Sequence, residues 1–177
     1  MRIGIDISQL AYENTGVANY LTNLIKYLLA TDKKNQYILF YSSLRKKFPH
    51  FAEASRGKQN FKIKTFKFPP MLLDLLWNKL HIAPIEWFIG DIDIFITSDW
   101  TEPPTKKAKK ATILYDLIVY KYPKETDNKI IDTQKRKLKW VKKESDMVFC
   151  ISEATRQDAI EILDIDKRKL HVLYPGA

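Results

Sequence analysis

Short apolar runs alternate with helix-period segments along nearly the whole chain, and this alternation limits the fold more than any other feature. Residues 2–7 form a β-branched run, and 37–41 are continuously apolar, the pattern of a strand covered on both faces. Residues 61–68 intersperse Lys62, Lys64 and Lys67 with apolar side chains, which predicts a strand with one wet face at a sheet edge. Runs at 92–97, 112–115, 146–151 and 169–174 bring the total to about seven strands. Between them, Asn14 or Thr15 can cap a helix whose apolar positions are Val17, Tyr20, Leu21, Leu24, Ile25 and Leu28. Further helical patterns fall at 70–80, 84–88, 128–144 and 153–163. Strands alternating with helices predict an α/β domain: a parallel sheet of about seven strands with helices on both faces.

The chain's 177 residues, 45% of them hydrophobic, suit one domain with a sizeable core. The start reads directly as a strand, with no basic segment before an apolar one, so no secretory signal is expected. The most apolar stretch, 71–96, is interrupted by Asp74, Asn78, Lys79, Glu86 and Asp91, and falls short of the roughly 18 apolar residues a spanning helix needs. One cysteine, Cys150, excludes an internal disulfide and sits in an apolar strand as a core residue. Together these features predict a cytoplasmic protein.

In a parallel sheet of this kind, ligands bind where the strands' carboxyl ends meet the following loops. Four such loops carry candidate residues. The first, 8–16, ends in Thr15 and Gly16 at a helix start, where N–H groups favour an anion; it reads either as a phosphate cradle or as a tight turn. It is neither a GxGxxG fingerprint nor a P-loop. The second contains Ser98, Asp99 and Trp100 before Pro103-Pro104, and reads either as a sugar-binding surface or as a stiff turn. The third places Tyr115 and Asp116 directly after a strand, where Asp116 is either a functional carboxylate or a turn former. The fourth is Ser152-Glu153, whose hydroxyl can cap the next helix.

Taken in order, these pieces resemble the N-terminal, acceptor-side half of a group 1 family GT-B glycosyltransferase. Met1-Arg2-Ile3-Gly4-Ile5-Asp6 and Thr15-Gly16-Val17-Ala18-Asn19-Tyr20 are similar to the family's opening strand and glycine-bearing loop. Gly90-Asp91-Ile92-Asp93-Ile94-Phe95 resembles its fourth-strand approach, and Tyr115-Asp116-Leu117 with Tyr122-Pro123-Lys124-Glu125 its His-Asp-Leu segment and trailing Tyr-Pro-Glu. Cys150-Ile151-Ser152-Glu153-Ala154-Thr155 resembles its strand-Ser-Glu helix start, and His171-Val172-Leu173-Tyr174-Pro175-Gly176 its last strand before the interdomain linker.

The resemblance implies a Rossmann-like domain spanning 1–177, one half of a GT-B architecture, with the C-terminal donor-binding domain absent from this chain. It implies a hexosyltransferase-like enzyme that moves a sugar, with retention, from a nucleotide-sugar to a glycan or lipid-linked acceptor. No metal and no cofactor are implied. Asp116 and Tyr115 would then be catalytic. Gly16, Thr15, Ser98, Asp99, Trp100, Ser152 and Glu153 would bind substrate. Tyr115 stands where many members carry a histidine; a phenol with an ordinary pKa of about 10 donates a hydrogen bond but does not serve as a base at neutral pH. The isolated half is expected to be inactive. The other function classes are a non-catalytic ligand- or protein-binding module with the same half fold, and a nucleic-acid-binding protein.

The net charge of +9 comes partly from lysine clusters at 106–110 and 135–143. No helix-turn-helix, RNA-binding aromatic signature or zinc spacing accompanies them, so nucleic acid is not expected as a partner. They read as solvated helix faces or as a lean toward the inner face of a membrane, and the 70–80 segment, with Trp77, adds an amphipathic element suited either to an interface or to the sheet.

Overall fold

A computed structural model describes residues 1–46 and 60–175, which fold around one seven-stranded sheet in the order β3-β2-β1-β4-β5-β6-β7. The strands are β1 (Arg2–Asp6), β2 (Gln36–Ser42), β3 (Phe61–Phe66), β4 (Ile94–Thr97), β5 (Lys109–Leu114), β6 (Met147–Cys150) and β7 (Leu170–Val172). Every neighbouring pair is parallel. The chain steps outward from β1 to β3, then crosses back to lay β4 on the other side of β1. That reversal opens a crevice at the carboxyl ends of β1 and β4, the place where open α/β sheets bind ligands. Gly176 of the expected Pro-Gly turn lies outside the described residues.

Pleating divides the side chains between two faces. Tyr37, Leu39 and Tyr41 of β2 and Ile113 of β5 pack with Leu21, Ile25 and Leu29 of α1 (Gly16–Thr31). Phe40 turns the other way and meets Phe95, Leu73 and Trp77. Leu114 likewise joins Leu138 and Val141 of α5 (Asn128–Glu144) and Ala159 of α6 (Glu153–Glu161). Helices therefore cover both faces. Cys150 is fully buried in the second core, as its apolar strand implied. β3 is an edge strand with Lys62 and Lys64 exposed, which matches its interspersed lysines.

Gly4 lets two layers close up. A Cβ there would lie 2.8 Å from the Phe95 ring and 2.9 Å from the Ile89 side chain, so a larger residue would wedge β1 away from the helix beneath it. Gly90 ends α3 (Glu86–Ile89) at a φ of 85°, a left-handed value that favours glycine.

Two expectations from the sequence are corrected. The 70–80 segment is not one regular helix: α2 (Pro70–Leu73) runs into a π-helix, Asp74–Lys79, with the Leu80 N–H reaching back to the Leu75 carbonyl at 2.9 Å. The wider turn buries the consecutive residues Trp77 and Asn78. Trp77 is therefore a core residue, its indole donating to the Ala83 carbonyl at 2.9 Å, and it is not available to an interface. A four-residue helix, α4 (Ile118–Lys121), follows β5 where no helix was expected. No helix among the described residues is long and apolar enough to cross a membrane.

Candidate active site

Because all the strands are parallel, the loops after β1, β4, β5 and β6 leave from one edge of the sheet. A cavity of about 300 Å³ opens there, lined by Val17 at the start of α1, Asp99 and Trp100 after β4, and Tyr115 and Asp116 after β5. Four of the nine residues singled out from the sequence thus meet in one place, and α1 brings Thr15 and Gly16 to its border. Ser98 lies beneath, 1% exposed, while Ser152 and Glu153 line neither this cavity nor the larger one beside it.

Of the four that line the cavity, Asp116 is the one that is exposed. Its carboxylate accepts one local hydrogen bond, from the Ile118 N–H at 3.0 Å, and otherwise faces solvent. Tyr115 is its opposite. The phenol lies 3.2 Å from the Ser98 hydroxyl, its ring meets Tyr20 edge-on at 5.6 Å, and burial raises its pKa well above the ordinary phenol value. A phenol so placed stays protonated across the working range of an enzyme and can only donate or accept a hydrogen bond. Asp99 accepts from the Gln134 amide at 3.1 Å, and burial raises its carboxyl above the usual range even though Lys137 pulls the other way.

The loop after β4, read from the sequence either as a sugar-binding surface or as a stiff turn, is largely buried. Thr97, Ser98, Thr101 and Glu102 all turn inward, leaving Asp99 and Trp100 toward the cavity. The interior they enter is charged. Glu102, 0% exposed, pairs with Lys110 at 3.2 Å and accepts the Thr97 hydroxyl at 2.6 Å. Lys110 also meets Glu144 at 3.1 Å. Asn78 of the π-helix bonds the loop twice, donating to the Trp100 carbonyl at 2.9 Å and accepting the Glu102 N–H at 3.0 Å. Lys137, 2% exposed, donates its ammonium to the Ser98 carbonyl, and burial lowers its pKa against the attraction of Glu102, Asp99 and Asp6.

The expectation of solvated lysine faces is thereby corrected at two positions: Lys110 and Lys137 are structural cations inside the domain. The sequence held a signal for the second. Lys137 falls one turn before the buried Val141 of α5 and one turn after the half-buried Gln134, and so lies on the helix's inner stripe.

The other loops are simpler. The Thr15 hydroxyl caps α1 by accepting the Ala18 N–H at 3.2 Å, and a Cβ at Gly16 would meet nothing within 4 Å. Open space in front of Gly16 leaves the first turn's N–H groups approachable. The Ser152 hydroxyl caps α6 through the Thr155 N–H at 3.0 Å, and Glu153 pairs with Arg156 at 2.6 Å. Among the described residues, no group of three His, Cys, Asp or Glu side chains is placed to hold a metal ion.

A parallel sheet in this order, with exposed loops at its reversal point, is a Rossmann-like half-domain of the GT-B type. Residues 14–177 match Glycosyltransferase Family 4, and the chain belongs to that family. No match was found among curated proteins.

Proposed function

We propose that this domain is the acceptor-side half of a retaining glycosyltransferase that passes a sugar from a nucleotide-sugar to a glycan or lipid-linked acceptor. The donor would be held mainly by a second domain outside these 177 residues. The observation that carries the reading is the Asp116 carboxylate, exposed at the carboxyl end of β5 in a cavity shared with Asp99 and Trp100. A carboxylate there can accept hydrogen bonds from sugar hydroxyls and fix their orientation, while Trp100 offers an apolar surface to a sugar ring. The Tyr115 hydroxyl, kept protonated, acts as a donor at the cavity wall and not as a base. The open first turn of α1, with Thr15 and Gly16, suits the negative charge that develops on a diphosphate leaving group. Ser98, Ser152 and Glu153 support these loops from behind or beside them.

A second element is a peripheral lean toward an anionic membrane surface on the cytoplasmic side. Exposed Met71, Ile82 and Trp87, with Lys106 placed over the Trp87 ring at 5.3 Å, favour it.

The test is transfer from nucleotide-sugars with and without a donor-binding domain supplied. Residues 1–177 alone should give no product, and the two-domain enzyme should give product with the donor's anomeric configuration. Transfer by the 177-residue chain alone would refute the division of labour, and inverted product would refute retention.

A further inference from the structure

A second, larger cavity of about 660 Å³ lies beside the first, and Trp100 and Ile130 belong to the walls of both. It sits beyond the ends of β1 and β2, under α2, and its volume is within the range of small-molecule sites. Its character is unlike that of its neighbour. Phe68, Met71, Leu73, Leu44 and Tyr12 give the wall its apolar character, and Met71 is 85% exposed.

The charges around this apolar space are unequally engaged. Asp74 is bound to Arg136 at 2.7 Å, and Asp6 accepts the Ser8 N–H at 2.9 Å and the Thr101 hydroxyl at 3.4 Å. The side chains of Arg45, Lys46 and Lys129, all exposed, have no acidic partner among the described residues. Both acids of the lining are thus neutralised or hydrogen-bonded, and three cations are not. An apolar hollow with spare positive charge at its edge is complementary to an amphiphile bearing an anionic head.

We propose that this cavity binds the aglycone of the acceptor: a single aliphatic chain inside, and a phosphate ester held by Arg45, Lys46 and Lys129, so that the head group projects past Trp100 toward Asp116. This narrows the acceptor to an alkyl or isoprenoid phosphate type and rests on the reading of this half as the acceptor side.

The test uses straight-chain alkyl phosphates from hexyl to dodecyl, below their micelle-forming concentrations, titrated against the 177-residue chain by calorimetry and tryptophan fluorescence. Affinity should rise about fourfold per added methylene, the value for full burial, and then level off as the cavity fills. Inorganic phosphate should not bind measurably, and the alkanol of equal length should bind at least tenfold more weakly than the phosphate. Met71→Glu should weaken binding tenfold or more with an unchanged melting temperature. Paired Arg45→Ala and Lys129→Ala should bring the phosphate down to the alkanol's affinity. Affinity independent of chain length, an unaffected Met71→Glu variant, or association with anionic vesicles alone would overturn the proposal. Transfer by the two-domain enzyme to a water-soluble saccharide, with no alkyl phosphate binding, would overturn it while leaving glycosyl transfer standing. Alkyl phosphate binding by a protein that transfers nothing would uphold the cavity and reject the transferase reading.

Discussion

The loop that leaves β4 and the loop that leaves β5 start side by side at the same sheet edge, yet they are built in opposite ways. The first is rich in side chains that look chemical, and most of them are locked inside. Glu102 and Thr97 are 0% exposed, Ser98 is 1% exposed, and Asn78, Lys110 and Lys137 hold them from three other elements. The second presents an exposed carboxylate, Asp116, tied down by one backbone N–H. Polar residues at a strand end can therefore serve two purposes, fixing a wall or meeting a ligand, and only burial separates them. On this contrast, damage to the β4 loop should be felt first as lost stability, and damage to the β5 loop as lost rate.

The largest effect is expected at the buried ion pair. Glu102→Ala leaves Lys110 short of a partner in the interior and should cost about 3–5 kcal/mol, read as a fall in the denaturation midpoint. A midpoint close to wild type would break the contrast at its stronger end. Lys137→Met comes next: it removes the donor to the Ser98 carbonyl, and an unsatisfied buried carbonyl costs about 1–3 kcal/mol. Its transfer rate should fall as well, because Asp99 and Trp100 lose their support from below. A rate loss without any stability loss would move Lys137 from scaffold to chemistry.

Ser152→Ala tests the loop after β6 by the same standard. Loss of a helix cap costs about 1 kcal/mol, and the rate should stay within about twofold, since only a cap is removed. A clear fall in rate at unchanged stability would bring Ser152 into contact with substrate. Tyr115→Phe should change stability by a similar amount, since it deletes one hydrogen bond to Ser98 and keeps the ring against Tyr20. It should cost about 0.5–1.5 kcal/mol of stability and lower the rate by less than about tenfold. Because the phenol stays protonated well past neutrality, the wild-type pH–rate profile should carry no limb that disappears in this variant.

Much of the architecture was legible in residue order. The run 37–41 announces a buried strand because it is apolar on both faces, and Thr15 and Ser152 announce helix starts because short hydroxyls there can accept an orphan N–H. How much of the β4 loop is buried was not legible, for a physical reason. Whether a Ser, Thr or Glu faces water depends on partners far away in sequence, and here those partners are Asn78, Lys110 and Lys137. Lysines within basic clusters look alike until a helix phase is assigned, and only Lys137 carries such a phase signal; Lys110 sits on a strand whose burial depends on its neighbours. The π-helix was hidden too, since hydrophobic spacing over 70–80 does not separate a 3.6-residue turn from a wider one. At the candidate site, Asp116 and Tyr115 stood out by their position after a strand, while the depth separating them is set by distant partners, Ser98 and Tyr20.

The most direct measurement is the initial transfer rate of the two-domain enzyme carrying Asp116→Asn, set beside the melting temperature of the same preparation. An exposed carboxylate that orients acceptor hydroxyls should, when neutralised, lower turnover by about one to three powers of ten and leave the melting temperature within a degree or so of wild type. A wild-type rate would remove Asp116 from the site, and a large fall in melting temperature would make it part of the scaffold.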